Sequence, residues 1–470
     1  MTKALIAGVL FLPALIAGSS TTQRAQAPRP PNILLIQADD LGYGDLSAYG
    51  QAQFQTPALD RLAREGIRFT QYYAGTTVCA PSRAALMTGL HTGHAYIRGN
   101  GALPEGDTPL RPEDVTIAEV LREAGYRTAL IGKWGLGQPG TTGQPDRQGF
   151  EYAFGFSDQR HAHRQFTDHL WRNGERVPVD LEKDYANDLF TKEAGAFIER
   201  SDPRPFFVYL NYTVPHAELR VPEDSIEPFR GRFPEQPFVN PTADARQSGA
   251  SPDVASLGYR SQPTPRAAFA AMITRMDRDI GRLVDRLGVR GIDRQTLVMF
   301  TSDNGPHREG GADPAFFKSS GPLRGIKRDL YEGGIRVPNI ARWTGTIPAG
   351  RVSDHPWAHW DLLPTLADLA HARIPAGLDG MSMSRALRGE RQPSHPFLYW
   401  EFHERGFQQA VRMGRWKAVR LKMGAALELY DLEADPGEQR EIAAAHPDVV
   451  GKIEAYLKTA RTESARWPAK

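Results

Sequence analysis

Asn32-Ile-Leu-Leu-Ile-Gln37 runs without a charge into Ala38-Asp39-Asp40. A short, unbroken apolar run suits a strand buried on both faces, and this one ends on two carboxylates. A second stretch repeats the design: Thr296 to Thr301 is followed by Ser302-Asp303-Asn304. Between them, helical and strand patterns alternate. Thr56-Pro57 opens a helix as N-cap and N1, with Leu59, Leu62 and Ala63 on one face and Gly66 as its stop. Thr116 and Glu119 form a capping box ahead of Val120 and Leu121, and Gly125 ends that helix. Arg127 to Ile131 reads as a strand, Asp184 to Arg200 as a helix and Pro205 to Asn211 as a strand. Thr264-Pro265 starts the clearest helix, whose apolar face is Phe269, Met272, Ile273, Met276, Ile280, Leu283, Val284 and Leu287, with Gly288 at its end. The alternation predicts an α/β domain built on a large, mostly parallel mixed sheet flanked by helices. Ligands bind beyond the carboxyl ends of such strands, where Asp39-Asp40 and Asp303-Asn304 both fall.

Working outward, residues 138–180 and 218–264 are rich in proline, glycine and polar groups and read as long surface loops that could wall a cleft. After a helix over Asp361 to Ala370 the pattern changes. Phe397 to Glu401, Gln408 to Arg412, Trp416 to Arg420 and Leu427 to Tyr430 are strand candidates, Met413-Gly414 marks a tight turn, and a helix follows near Pro447 to Ala460. These describe a smaller C-terminal α+β domain carrying an antiparallel sheet, assigned to residues 373–470. At the other end, Lys3, the apolar run Ala4 to Gly18 and Ala25-Gln26-Ala27 have the form of a secretory leader, residues 1–27. The run is shorter than a bilayer span and Pro13 interrupts it, so the expected mature chain is periplasmic or secreted, with no membrane segment after cleavage. Among 470 residues, 57 Lys+Arg against 55 Asp+Glu give a net charge of +2, too little for a nucleic-acid binder. The chain has a single cysteine, so no internal disulfide can form.

That cysteine lies in Thr77-Val78-Cys79-Ala80-Pro81-Ser82-Arg83-Ala84-Ala85-Leu86-Met87-Thr88-Gly89. Pro81 suits a first helical turn and places Cys79 at a helix N-terminus, where negative charge is favoured. Taken alone, the residue reads first as an inert core thiol and second as a thiolate nucleophile with a depressed pKa. Cys-x-Pro-Ser-Arg followed by Ala-x-Leu-x-Thr-Gly resembles the signature of the type I sulfatases, in the alkaline phosphatase superfamily. Gly125-Tyr-Arg-Thr-Ala-Leu-Ile-Gly-Lys133-Trp-Gly135-Leu-Gly137, Asp303-Asn304-Gly305, Lys327 before Tyr331-Glu-Gly-Gly334, and Glu428-Leu-Tyr-Asp-Leu-Glu-Ala-Asp-Pro436 agree with it in order. The resemblance implies an alkaline phosphatase-like catalytic domain over residues 28–372. It also implies a sulfuric ester hydrolase of the arylsulfatase type.

Asp39, Asp40, Asp303 and Asn304 offer only oxygen ligands, which suit a hard divalent cation. By resemblance the cation is calcium, with magnesium as the alternative. The resemblance further implies that a formylglycine-generating enzyme oxidises Cys79 to formylglycine. One hydroxyl of the hydrated aldehyde would attack sulfur, and loss of the other hydroxyl's proton would later release sulfate. Arg83 is implied to hold the nucleophile, Lys133 and Lys327 to bind sulfate oxygens, and His216 to act as general acid at the leaving oxygen.

One position departs from the family pattern, which reads Lys-x-His where this chain has Lys133-Trp-Gly135. His163 and His307 are candidates to replace that histidine, with His163 favoured; His161, His163 and His169 could equally form a polar loop. His307, Arg308 and Glu309 are candidate readers of substrate hydroxyls, while His91 and His94 read as structural. The expected substrate is a sulfated small molecule or sulfated glycan, with galactose-type units preferred. Alternatives are a phosphonate or phosphodiester hydrolase of the same superfamily, and a non-catalytic binder of sulfated glycans. Asn211-Tyr-Thr213 fits a glycosylation acceptor but falls on a strand expected to be buried.

Overall fold

The computed structural model describes residues 1, 2, 4, 5, 8, 29–101, 107–245 and 258–470, so the expected leader lies almost wholly outside the described residues. Strands β1 (Asn32–Asp39), β2 (Ile67–Tyr73), β3 (Arg127–Lys133), β4 (Tyr152–Phe156), β5 (His169–Arg172), β6 (Glu175–Pro178), β7 (Phe206–Pro215), β8 (Thr296–Ser302), β9 (Arg336–Arg342), β10 (Arg351–Ser353) and β11 (Trp357–Ala358) form one 11-stranded sheet. Its order is β10-β2-β9-β8-β1-β7-β3-β4-β5-β6, with β11 also on β2. The run β8-β1-β7-β3-β4 is parallel throughout. β9 runs antiparallel to β8 and β2, and β5 to β4 and β6.

β1 explains why the sheet has helices on both sides. Ile33, Leu34, Leu35 and Ile36 are all fully buried. Leu34, Ile36 and Ala38 pack with Phe269, Met272 and Ile273 of the long helix Pro265–Val289 on one face. Ile33 and Leu35 pack on the other with Ala84 and Met87 of helix Cys79–Thr88 and with Leu362 and Leu366 of helix Leu362–Leu369. Burying each such Leu or Ile contributes about 1.5–3 kcal/mol.

Three expectations need correction. Residues 138–180 are not all loop: β4, β5 and β6 extend the sheet there. Gly155 breaks the apolar run, and a Cβ on it would lie 2.0 Å from the Gly132 carbonyl oxygen, so glycine is required where β3 and β4 approach. β5 and β6 are joined at Asn173-Gly174, both at positive φ (49° and 85°), as a two-residue hairpin demands. Secondly, β7 runs four residues past Asn211, because Thr213 finds partners inside the protein: its N–H donates to Asn187 Oδ1 and its hydroxyl to Gln165 Oε1, each at 2.9 Å. Asn211 is fully buried. Thirdly, Thr56 does not cap helix Pro57–Glu65 with its side chain. Asp277, from the long helix, accepts from Ala58 N at 3.0 Å and Leu59 N at 2.8 Å instead. The Thr116/Glu119 capping box is present as read.

The C-terminal strands β12 (Leu398–Phe402), β13 (Gln408–Met413), β14 (Trp416–Arg420) and β15 (Glu428–Asp431) form a 4-stranded antiparallel sheet in chain order. Tyr399, Val411, Ala418 and Leu429 face Val449, Ile453 and Leu457 of helix Pro447–Leu457. Trp400, Ala410, Val419 and Tyr430 face the main domain at Tyr73, Ala85, Ile335 and Trp360.

Candidate active site

Parallel pairing brings the polar strand ends to one edge. Ala38 is in register with Ser302, and Asp39 with Pro215, while Lys133 ends β3. Asp39-Asp40, Asp303-Asn304, Lys133 and His216 therefore meet beyond four adjacent strands. Helix Cys79–Thr88 points its N-terminus at the same place. Cys79 is its first residue, and Gly89 (φ 70°) closes it with a bond to Ala85 O.

The spacing in Cys79-x-Pro-Ser-Arg becomes intelligible here. Ser82 and Arg83 lie three and four residues on, and so on the same side of the helix as Cys79. Ser82 Oγ donates to Asp303 O at 2.5 Å and accepts from Gly75 N at 2.9 Å. The Arg83 guanidinium donates to Asp303 Oδ2 from Nε (3.1 Å) and Nη2 (2.8 Å), and to Lys133 O from Nη1 (3.2 Å). Burial alone would weaken its charge, but Asp303 and Asp39 outweigh that and hold Arg83 above the ordinary arginine range. The helix is thereby fastened to the ends of β8 and β3.

Three buried carboxylates, Asp39, Asp40 and Asp303, are met by Arg83, Lys133 and Lys327, none more than 4% exposed. Lys133 Nζ donates to Asp39 Oδ2 and Lys327 Nζ to Asp40 Oδ2, each at 2.7 Å. Burial presses both lysines down; Asp39 and Asp40 respectively overcome it, so both stay cationic. Cys79 Sγ lies 3.5 Å from Asp39 Oδ1 and 3.9 Å from Asp40 Oδ1. Burial pushes its thiol well up, with Asp303 and Asp39 adding to the shift against Lys133 and Lys327. An unmodified Cys79 is thus a protonated thiol rather than the thiolate its helix N-terminus alone would favour.

Asp40 N donates to Asp303 Oδ1 at 3.0 Å and Asn304 Nδ2 to Asp40 Oδ1 at 2.6 Å. Asn304 Oδ1 is buried and has no hydrogen-bond partner. An orphan amide oxygen among clustered carboxylates is the donor chemistry a hard cation takes, so the residues present fit a divalent metal.

His216 follows β7. Its Nδ1 bonds Ala217 O at 2.6 Å, leaving Nε2 3.0 Å from Lys327 Nζ and 3.4 Å from Asp40 Oδ2. Its ring is sandwiched by His163 (centroids 4.4 Å apart) and His307 (5.3 Å), both at 17°. Burial, then Lys327 and Lys133, lower His216 far below the ordinary histidine range; burial and His216 do the same to His163.

A cleft of about 490 Å³ opens over these groups, lined by Cys79, His163, His216 and Lys327 below and by Asn100, Arg160, Arg328, His403, Glu404 and Trp467 above. Not every candidate reaches it. His307 is buried behind His216, with Nε2 on Pro215 O and Nδ1 accepting from Glu309 N, each at 3.0 Å, so its ring has no nitrogen left for a ligand. Arg308 is exposed and does not line the cleft; its neighbour Glu309 does. Glu309 Oε2 accepts from Tyr259 OH at 2.8 Å, and Oε1 from Arg328 at 2.6 Å. His91 and His94 are tied to Asp379 away from the cleft. Of the residues read as contacts to substrate hydroxyls Glu309 does reach the cleft, whereas sequence reasoning passed over Gln159, Tyr259, Arg328 and Trp467, which carry no motif and reach it from loops and from the C-terminal tail. Among the described residues no helix is long and apolar enough to cross a membrane.

Known proteins resemble this one over nearly the whole chain. The sulfatase family profile matches residues 31–372, and that of the N-sulphoglucosamine sulphohydrolase C-terminal region matches 326–463. Human arylsulfatase A is 33% identical over 90% of this chain and 86% of its own length. N-acetylgalactosamine-6-sulfatase of Canis lupus familiaris is 31% identical over 86% and 74%. Among solved structures, Ps i-CgsB in complex with k-i-k-neocarrahexaose superposes with a TM-score of 0.76 at 26% identity, covering 94% of this chain and 95% of that one. The phosphonate monoester hydrolase of Agrobacterium radiobacter shares the fold, with a TM-score of 0.66 at 23% identity over 92% and 95%. A profile that spans both the strand-end carboxylates and the Cys79 helix, joined to relatives of this similarity, places the chain in the sulfatase family of sulfuric ester hydrolases.

Proposed function

We propose that this sulfatase removes sulfate from a sulfated carbohydrate, using formylglycine derived from Cys79 as nucleophile and calcium held by Asp39, Asp40, Asp303 and Asn304. The observation that carries the reading is the placement of the single cysteine, buried at a helix N-terminus within 3.9 Å of two carboxylates and at the floor of an open cleft. The aldehyde hydrate would supply the attacking hydroxyl and the cation would polarise a sulfate oxygen. Everything else falls to the chain's own side chains. Lys133 and Lys327 bring fixed positive charge to the sulfuryl oxygens, where negative charge grows in the transition state. Arg83 holds Asp303 and the nucleophile's helix in one frame. His216 is fixed by its Nδ1–H donation to Ala217 O, so Nε2 is the nitrogen that would face the leaving oxygen and deliver to it a proton received across its 3.0 Å contact with the Lys327 ammonium.

The substrate class rests on the cleft. Its volume lies in the range of small-ligand sites, and its upper wall offers amide, carboxylate, guanidinium and imidazole groups beside one indole, a set suited to sugar hydroxyls and a sugar ring face. A relative named for N-acetylgalactosamine-6-sulfate and a neighbour solved with a hexaose support a carbohydrate, with galactose-type units preferred. The leader-like residues 1–27 support export, to the periplasm or beyond.

The test is the mass of the Cys79 peptide from protein made in its own host, paired with rates on an aryl sulfate and an aryl phosphodiester. An aldehyde at position 79 and a sulfate rate exceeding the phosphodiester rate are expected. An unconverted thiol in fully active protein, or a faster phosphodiester reaction, defeats the proposal.

A further inference from the structure

Position 135 follows the β3 lysine by two residues and has no side chain. Its backbone sits at φ 72°, a conformation L side chains rarely adopt. The space beside it is nevertheless filled. A Cβ built on Gly135 would lie 2.0 Å from Gln159 Nε2, 2.5 Å from its Cδ and 2.9 Å from its Cγ. The Gln159 amide therefore stands where a side chain at 135 would begin. It comes from a different loop, the one that follows β4.

Gln159 is held there by its surroundings. Its backbone N–H donates to Asp107 Oδ2 at 2.8 Å. The next two backbone N–H groups, of Arg160 and His161, donate to Asp158 Oδ1 at 2.8 and 2.9 Å, and Gln138 Nε2 donates to Asp158 Oδ2 at 2.6 Å. The residue is only 6% exposed, it lines the same cleft as Cys79, His216 and Lys327, and its Nε2 is buried without any hydrogen-bond partner. A buried amide N–H group that the fold leaves unpaired, in a preorganised loop on the cleft that Cys79 and Lys327 also line, marks a donor whose partner arrives with the ligand.

We propose that Gln159 is a substrate-contacting residue of this sulfatase, donating its amide N–H to the sulfuryl group held over Cys79, and that Gly135 is glycine to make room for it. This rests on the sulfatase reading of the same cleft. It assigns the place beside Lys133 to a neutral amide reaching across from a neighbouring loop, rather than to a side chain of β3's own extension or to His163. An amide does not titrate, so this contact contributes equally at every working pH.

Two readouts test it: kcat/KM on 4-nitrophenyl sulfate, and affinity for inorganic sulfate by calorimetry. Gln159→Ala is expected to lower kcat/KM about 100-fold and to weaken inorganic sulfate about tenfold. Gln159→Glu preserves the bulk over Gly135 but replaces the donor with negative charge, and should bind sulfate more weakly than Gln159→Ala at an unchanged melting temperature. Gly135→His should cripple the enzyme by collision with Gln159, and adding Gln159→Ala to it should restore at least about tenfold in kcat/KM. Sulfate affinity and kcat/KM within about twofold of the parent in both Gln159 variants would overturn the proposal. So would a Gly135→His enzyme that loses nothing while Gln159 is present. Cys79→Ala measured in parallel separates the two levels. A parent that is active only with Cys79 intact, joined to indifferent Gln159 variants, sinks this inference alone. Turnover that survives Cys79→Ala sinks the reading beneath it, while the calorimetry still reports on Gln159.

Discussion

Replacing Arg83 by methionine keeps a flexible chain of similar reach and removes the fork that fastens the Cys79 helix to β8 and β3. The guanidinium is 1% exposed, so bulk solvent does not screen its bonds. Its two bonds to Asp303 Oδ2 would be lost, leaving a fully buried carboxylate with Asp40 N as its one hydrogen-bond donor from the protein, and Lys133 O would lose the Arg83 donor. Breaking one side of a buried ion pair costs about 3–5 kcal/mol, and an orphaned buried carbonyl adds about 1–3 kcal/mol. Because neighbouring terms overlap, we take about 5 kcal/mol for the whole. With a urea slope of about 2–3 kcal/mol/M the unfolding midpoint of Arg83→Met falls by about 2 M. Arg83→Lys keeps the charge without the fork and should fall by about half as much. The interaction is sealed from solvent, so the deficit is expected to be the same in low salt and in about 1 M salt. A shift below about 0.5 M, or a deficit erased by salt, would refute the claim that this buried fork secures the helix.

Chelation with EDTA should abolish turnover and lower the melting temperature, with calcium restoring both; a melting temperature unmoved by chelation and calcium would show that Asp39, Asp40, Asp303 and Asn304 hold no metal that matters to the fold. Asp277, capping helix Pro57–Glu65 from the long helix, is pushed up to about 6 by burial against the pull of its two backbone donors. Between about pH 4 and 6 the folded state keeps a proton that the unfolded state has released, so stability falls as pH rises through that window. Asp277→Asn should flatten that slope, read from melting temperatures across the range, and should cost about 1 kcal/mol as a weaker cap. Trp467→Ala should raise KM for a sulfated oligosaccharide about tenfold or more while changing aryl sulfate turnover less than about threefold; equal effects on both would remove Trp467 from the sugar-binding wall.

The centre of the sheet was legible because its signal is dense. β1 and β8 are uninterrupted apolar runs with carboxylates at one end, and parallel register leaves those ends only one place to meet. The edge was not, because β4 to β6 are short and broken by Gly155, although Asn173-Gly174 is a hairpin turn in the sequence itself. Thr56 and Pro57 stand at N-cap and N1 as read, but the Thr56 side chain does not do the capping, for a tertiary reason: a carboxylate 221 positions further on takes the first N–H groups, and no local pattern announces it. Among candidate site residues, those on strand ends and on the Cys79 helix converge, whereas His307 is spent on backbone groups and Arg308 turns outward. Gln159 was illegible for a different reason. Its meaning comes from the absence of a side chain at Gly135, which only spatial proximity reveals.

The order β8-β1-β7-β3 also has a consequence in time. β1 ends at residue 39, while the strands on either side of it come from residues 206–215 and 296–302. The centre is thus stitched from contacts of very high sequence separation, the class that forms slowly because a long loop must close before any contact rewards it. A chain still emerging from the ribosome past Cys79 has made the thiol and Asp39-Asp40 but not Lys133, His216, Asp303 or Lys327, which complete the pocket around it. In the folded chain the thiol is 2% exposed, so an enzyme that modified Cys79 would have to reach it before β8 pairs with β1.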